Sequence, residues 1–307
     1  ERKSDVLVVG GGVIGMSCAY YLAQAGVRTT VIESTTVGSP FACSYGNQGL
    51  VCPSHAVPLA APGVISQGLK WLFDPTSPLY IRNPWRHEIC RWLWRFTRSS
   101  GTKRAKAATA HMAQFLTRSA QLHSELSTIA GTDTATESHP YGYTANGMMH
   151  VFMSEKLLHH HLNEARQIER HGIKFQYISG NEIRNIEPAL STEIVGGALF
   201  PGDAHVAPQS FVKFLYSHAR AAGAQIIEHT DVIHIQPYTS SSGTAVLTTH
   251  GEFTADQIVI AAGSWSPNVA VGLNLPLPVQ AAKGYSITFT RPSWRPRLPI
   301  SMGDSQT

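Results

Sequence analysis

The sequence predicts an α/β chain, α+β overall, of two interleaved domains, and three observations carry that expectation. First, Asp5–Val9 is a β-branched run that closes in Gly10, Gly11 and Gly12. Residues Val13–Ala25 follow at helical period, and Arg28–Glu33 is a second strand. That is strand, helix and strand within about 30 residues, the length of a βαβ unit. Second, Gln257–Ala262 is another uninterrupted apolar strand and runs into Gly263. Such runs mark strands buried on both faces of a parallel sheet. Third, the stretch between these ends mixes helical periods with short strands, the pattern of a mostly antiparallel sheet with helices.

Taken in order, Gly26 stops the first helix as a C-terminal cap. Residues 34–62 are rich in turns and too long for a simple connection, and loops of that length are commonly functional. Trp71–Ala130 reads mostly helical. Tyr141–Phe152 reads as a hairpin around Asn146-Gly147. Ser154 is the expected N-cap of a helix to His171, followed by a strand at Phe175–Ile178. Val206–Ala222 is a further helix and Ala224–Glu228 a strand. Asp231–Ile235, Thr244–Thr249 and Glu252–Thr254 read as a meander, and Gly284–Thr290 alternates as a strand.

The 307 residues allow two domains at roughly 100–200 residues each. Hydrophobic residues make up 43%, enough for a sizeable core, so disordered and fibrous classes are excluded. Charged residues are only 14%, against about 25% in typical chains. The net charge of +4 is local. Between Arg82 and Lys106 lie eight Lys/Arg and one acid, Glu88, so that stretch carries +7 and the remainder −3. A patch of this kind is not the whole-surface basicity of many nucleic-acid binders, and no nucleic-acid partner is expected. The four cysteines, Cys18, Cys43, Cys52 and Cys90, lack metal or redox spacing, so a reducing compartment, the cytoplasm, is the default. No apolar run reaches the ~18 residues of a membrane span.

Gly10-Gly11-Gly12-Val13-Ile14-Gly15 satisfies GxGxxG, and here it closes a strand and opens a helix. Gly10 permits the tight turn, Gly12 lets backbone approach a pyrophosphate, and Gly15 lets helix and strand pack closely. The phosphates would sit on the N–H groups of the helix N-terminus. Glu33 ends the next strand, where a carboxylate accepts hydrogen bonds from a ribose diol and disfavours a 2′-phosphate. The motif leaves FAD and NAD both open. Its position at the start of the chain, with Gln257–Gly263 as a late returning strand, leans towards FAD.

Four features give a resemblance to the FAD-dependent D-amino-acid oxidase superfamily, and within it to the bacterial D-amino-acid dehydrogenase branch. They are Val8–Met16 with Glu33; Ser44-Tyr45-Gly46-Asn47-Gln48-Gly49-Leu50 followed by Pro58–Val64 and Trp71–Phe73; Leu199–Asp203 before the helix Phe211–Leu215; and Val279–Ser286. The resemblance runs the length of the chain. It implies FAD held by Gly10, Gly12, Val13, Ile14, Gly15, Glu33 and Ser34, and by Ser44, Asn47, Gln48, Gly49 and Leu50 where the loop passes the flavin. Val232 matches a residue whose backbone meets adenine, and Ala262, Gly263 and Trp265 match the returning strand end. The implied domains are a Rossmann-like FAD-binding domain at 1–78 and 201–272, and a substrate domain at 79–200 and 273–307. Relative to the family pattern the chain is expected to be truncated at its C-terminal side. It lacks a strand bearing an Arg for the substrate carboxylate, a Gly-Leu-Arg-Pro type motif and a Gly-His-Gly loop.

The implied reaction is oxidative deamination of a D-amino acid, with hydride moving from Cα to flavin N5 and electrons passing to an acceptor other than O2. The cofactor carries that chemistry, so no catalytic side chain is assigned and no metal is expected. His55 and Tyr285 are the candidate substrate-side residues; packing or surface roles are equally open for both. The alternatives are an amine oxidoreductase of the D-hydroxyproline, glycine or sarcosine type, and a truncated FAD-domain protein without activity. His159-His160-His161 cannot converge on one ion, because successive helical residues point about 100° apart, and is expected to be a solvated face. Trp85, Trp92, Trp94 and Phe96 interleave with Arg86, Arg91, Arg95 and Arg98. One reading is a helix packed on its own domain with Arg in solvent. The other is peripheral contact with the inner face of the cytoplasmic membrane, where a quinone or another electron carrier is met.

Overall fold

A computed structural model describes residues 3–72, 80–81, 83–131, 139–236, 243–290 and 292–303. In chain order they form β1 (Lys3–Val9), α1 (Val13–Gln24), β2 (Thr29–Ile32), β3 (Leu50–Val51), α2 (Val64–Leu72), α3 (His87–Ser99) and α4 (Thr102–Ala130). Next come β4 (Met148–Phe152), α5 (Glu155–Glu169), β5 (Gln176–Ser179), α6 (Gly180–Ile186), β6 (Gly196–Phe200) and β7 (Ala204–His205). The last elements are α7 (Pro208–Ala221), β8 (Gln225–Ile227), β9 (Val232–Gln236), β10 (Thr244–Thr248), β11 (Gly251–Ile260), α8 (Ser266–Val269) and β12 (Ile300–Met302). Two compact units result, one of residues 1–49, 132–142 and 206–287, the other of 50–131, 143–205 and 288–307.

The first unit is built on a six-stranded sheet in the order β8-β2-β1-β11-β10-β9. Its first four strands are parallel, and β10 turns antiparallel to both neighbours. Val6, Leu7, Val8 and Val9 are all buried, which is why β1 reads as an unbroken apolar run. Leu7, Val9, Ile32, Ile235, Val246, Phe253 and Ala255 form one core cluster. Helices α1 and α7 pack together, with Tyr20 edge-on to His218.

The second unit holds a four-stranded sheet, β12-β4-β6-β5. One face packs Phe152, Ala198 and Phe200 under Leu158, Leu162, Ala165 and Ile168 of α5 and Ala113 of α4. The other packs Met149, Val151 and Ile178 with Ile183 of α6 and Ile194. Because both faces are covered, all five residues of β4 are buried. Ser154 caps α5 as expected, its hydroxyl accepting from the Leu157 N–H.

Several expectations are corrected. The hairpin at Asn146-Gly147 does not form: β4 lies between β6 and β12, so both its edges are taken, and Thr144 pairs with His205 instead. The third strand of the meander and the late apolar strand are one strand, β11, whose start pairs antiparallel with β10 and whose body runs parallel to β1. No strand forms at Gly284–Thr290; Tyr285, Ile287 and Phe289 are exposed, with no partner strand for that segment among the described residues. The Trp71–Ala130 stretch divides among three helices, and residues 73–79 and 82 within it lie outside the described residues. The seams of the compact units also differ from 78 and 200. Leu50 and Val51 pair with His205 and Ala204, and Ser54 bonds Asp203, so residues 50–72 and 201–205 pack in the second unit.

Candidate functional site: a dinucleotide cleft in the first unit

A cleft of about 780 Å³ opens where the parallel strands end, beyond Val9 of β1, Ile32 of β2 and Ile260 of β11. Open α/β sheets bind ligands at this edge. Gly10 hangs between strands, donating its N–H to Ile32 O at 2.8 Å, while Ala261 N donates to Val9 O at 2.8 Å. Its φ is +105°, and a Cβ there would meet Ala261 O at 2.6 Å, so only glycine fits. A Cβ on Gly15 would run into the Gly10 carbonyl, which shows how closely α1 approaches the loop. The N-terminus of α1 faces the cleft through Gly12, Val13 and Ile14. Ser44 Oγ accepts from Val13 N at 2.9 Å, capping α1 from a distant loop.

Glu33 is more than the end of a strand. Its Oε2 accepts from Gly11 N at 2.6 Å, and its Oε1 from Thr35 N at 3.0 Å and Thr35 Oγ at 2.9 Å. One carboxylate therefore ties the glycine loop to the turn after β2. Thr230 N donates to Glu33 O at 2.9 Å, and Glu228 Oε1 accepts from Val37 N at 2.6 Å, fastening the end of β8 to the same turn.

Of the residues expected at a cofactor, Gly10, Gly12, Val13, Ile14, Glu33, Ser34, Ser44, Asn47, Val232, Ala262, Gly263 and Trp265 line this cleft. Gly15 lies behind it, under Gly10. Gln48, Gly49 and Leu50 do not line it. Gln48 is exposed, Gly49 turns against Val206 with φ +66°, and Leu50 starts β3 in the second unit. Asn47 spends its side chain on the loop itself, donating to Cys43 O and Ser44 O and accepting from Gly49 N at 2.7 Å. Sequence reasoning missed Thr35, Phe41, Cys43, Asn268 and Val269, which also line the cleft. Asp231 was read only as the start of the strand that carries Val232; the loop residues carried no periodic signal.

His55 and Tyr285 stand outside the cleft. Tyr285 is exposed, with Lys283 Nζ 5.3 Å from its ring centre. His55 belongs to a polar cluster in the second unit. There buried Asp203 accepts from Ser54 Oγ at 2.5 Å and Ser54 N at 3.1 Å. Burial raises the Asp203 carboxyl against the pull of the Ser54 bonds, and burial lowers His55 against the pull of Asp203. His55 sits edge-on to His150 at 5.5 Å, and His150 stacks on His161 at 4.8 Å. Burial first, then His161 and His55, push His150 down to about 3. The expected solvated face is thus corrected: His159 and His160 are exposed, but His161 turns inward onto the sheet. Among the described residues no group of His, Cys, Asp or Glu is arranged to hold a metal ion.

The strand ends, glycine loop and carboxylate define an α/β protein of the dinucleotide-binding class. Residues 5–306 match the DAO family, described as FAD dependent oxidoreductase, and the chain belongs to that family. It is 30% identical over 286 residues to D-amino acid dehydrogenase of Azorhizobium caulinodans and 32% identical over 293 residues to that of Paramagnetospirillum magneticum. Each alignment covers 92% of this chain and 66% of the relative, so the chain spans just under two thirds of their length. Among solved structures, glycine oxidase from Geobacillus kaustophilus superposes with TM-score 0.64 at 22% identity, over 90% of this chain and 60% of that one. L-alpha-glycerophosphate oxidase from Mycoplasma pneumoniae, with FAD bound, gives 0.60 at 20%, over 88% and 56%. At such identities these show a shared fold.

Proposed function

We propose that this chain is the FAD-holding part of a D-amino-acid dehydrogenase that oxidises a D-amino acid to its imino acid and passes the electrons to an acceptor other than O2. The observation that carries it is the Gly10–Gly15 loop and Glu33 lining one cleft, in a chain about 30% identical to relatives of that name. The donor set fits the cofactor. A helix N-terminus suits the pyrophosphate, and a carboxylate at the end of β2 suits a ribose diol. When bound, FAD would supply the hydride acceptor. The protein's part is to bind and orient: α1 and Ser44 at the phosphates, Glu33 at the ribose, Val232 at the adenine, and the Ala262–Trp265 turn with Asn47 along the flavin. In this reading the unit on the six-stranded sheet is the FAD-binding domain and the other the substrate domain. Of the two candidate substrate-side residues, His55 belongs to that second unit and Tyr285 to the first, and a small amino acid is the substrate.

The test is turnover by the full protein loaded with FAD, using D- and L-amino acids, glycine, sarcosine and D-hydroxyproline with either a dye or O2 as acceptor. Dye reduction by D-amino acids with little O2 consumption is expected. Turnover confined to glycine, sarcosine or D-hydroxyproline would replace this reading with the related amine oxidoreductases. A protein that takes up flavin and turns over none of them would overturn the enzymatic reading altogether.

A further inference from the structure

The second unit places imidazoles inside its core, on one face of β4. Met148, His150 and Phe152 alternate along that strand and share this face. His161 of α5 stacks on His150 with ring centres 4.8 Å apart, and the Phe200 ring lies 5.1 Å from His150 and 6.0 Å from His161. His55, on the short turn Pro53–Ala56, meets the His150 ring edge-on at 5.5 Å. Three histidines from three elements thus stand in series. Among the described residues, Nε2 of His150 and Nε2 of His161 are buried with no hydrogen-bond partner.

A proton on His150 would set a cation between two imidazoles and a phenyl ring. The groups around it do not neutralise that charge. Asp203 attracts a proton to His55, but its oxygens are committed to Ser54 N and Oγ. Glu164 Oε2 stands 3.8 Å from His161 Nδ1 and is shared with His160 Nδ1 at the same distance. The Cys52 thiol, pushed up by burial and Asp203, stays uncharged. From α4 and β6 come only Ala113, Ala198 and Phe200. A buried charge without a partner is relieved by water, so acid favours parting the elements around His150. β4 is held by β6 and β12 on both edges, and α5 by four buried side chains. The turn Pro53–Ala56 has four residues and no strand partner; Ser54 on Asp203 and Ala56 in the core fasten it. We propose that this turn is an acid-released latch, shut on β4 while the three histidines are neutral and opened when His150 takes up a proton. Burial holds His150 down to about 3, against 6.5 in water, so between those values only the open form binds the proton and opening gains as pH falls. Asp203 works the other way: burial raises its carboxyl, so the closed form keeps that proton longer and damps the response at the acid end. The latch goes beyond the dehydrogenase reading and does not rest on it.

The experiment is hydrogen exchange of the FAD-loaded protein, followed by NMR and corrected for the intrinsic rate at each pH. In the closed turn Ser54 N donates to Asp203 Oδ1 and His55 N to Cys52 O, both at 3.1 Å. Protection of these two amides should fall about 25-fold from pH 7 to pH 5 through His150 alone. Opening a short turn exposes little surface, so their exchange should ignore low urea, while exchange in β4 should follow it. His150→Gln should abolish the pH response. Protection that does not change with pH overturns the proposal, as does an unchanged response in His150→Gln. Exchange at the turn that rises with urea in step with β4 also overturns it, because the whole unit is then unfolding. A second measurement needs no variant. The His150 ring of the wild type should stay neutral in 15N spectra until the turn loses protection, and a ring that titrates near 6.5 with the turn still protected refutes the latch.

Discussion

Replacing Glu33 by Gln tests the cleft at its most connected side chain. The carboxylate accepts from Gly11 N on one oxygen and from Thr35 N and Oγ on the other. An amide has one acceptor and one donor end, so in either orientation an NH2 group faces an N–H. If it faces Gly11, a 2.6 Å charge-assisted bond is lost. If it faces Thr35, the bond from Thr35 N is lost and the Thr35 hydroxyl must turn round to accept. Bonds to charged groups contribute about 1.5–3 kcal/mol, and Glu33 is half-buried, so about 2 kcal/mol is the expected cost. That cost falls on the order of the glycine loop, where the cofactor would bind. FAD affinity should therefore drop about 30-fold at 1.4 kcal/mol per tenfold. The assay is titration of the apoprotein with FAD, following quenching of flavin fluorescence. Ser154→Ala is the control, because Ser154 caps α5 in the other unit and does not line the cleft. A Glu33→Gln affinity within threefold of wild type would refute the argument that this carboxylate organises the loop.

Gly15→Ala should cost about 1–3 kcal/mol, because the new Cβ collides with the Gly10 carbonyl and must part α1 from the loop; a melting temperature equal to wild type would count against it. Ser154→Ala should cost about 1 kcal/mol in denaturant unfolding by uncapping α5, with the cleft's flavin affinity unchanged. His150, held down to about 3 in the fold and near 6.5 when unfolded, takes up its proton only in the unfolded chain between those values. Stability should thus fall as pH drops below about 6.5, by about 2 kcal/mol at pH 5 from this group. Denaturant midpoints at pH 8, 6 and 5 check this, and His150→Phe should flatten the acid limb of the curve.

The site was legible where local geometry dictates residue type. A strand that ends in Gly10, a helix that begins at Val13 and an acid at position 33 are short-range facts. The cleft-lining residues among them follow from a turn only glycine can make. Loop residues 44–50 were only partly legible. Asn47 was identified by type, but its side chain folds back on its own loop, and Leu50 departs into another unit. The polar cluster of Ser54, His55, His150, His161 and Asp203 was not legible at all, since its members are scattered between positions 54 and 203 and meet only through β4, α5 and the β6–β7 turn.

By itself the sequence determined the βαβ unit, the phosphate loop, the helix caps and the basic, Trp-rich segment, because each depends on neighbours a few residues away. Only the tertiary structure decided the pairings. Tyr285, Ile287 and Phe289 alternate as well as any strand, yet stay exposed, because alternation describes a face and pairing needs a free edge opposite. Residues 252–254 and 257–260 looked like two strands and became one, because β1 and β10 offered edges on both sides of it. The hairpin at Gly147 was lost for the converse reason: β6 and β12 had already taken both edges of β4. Propensity is local, but a backbone hydrogen bond in a sheet is made with whichever distant strand the packing of the core brings alongside.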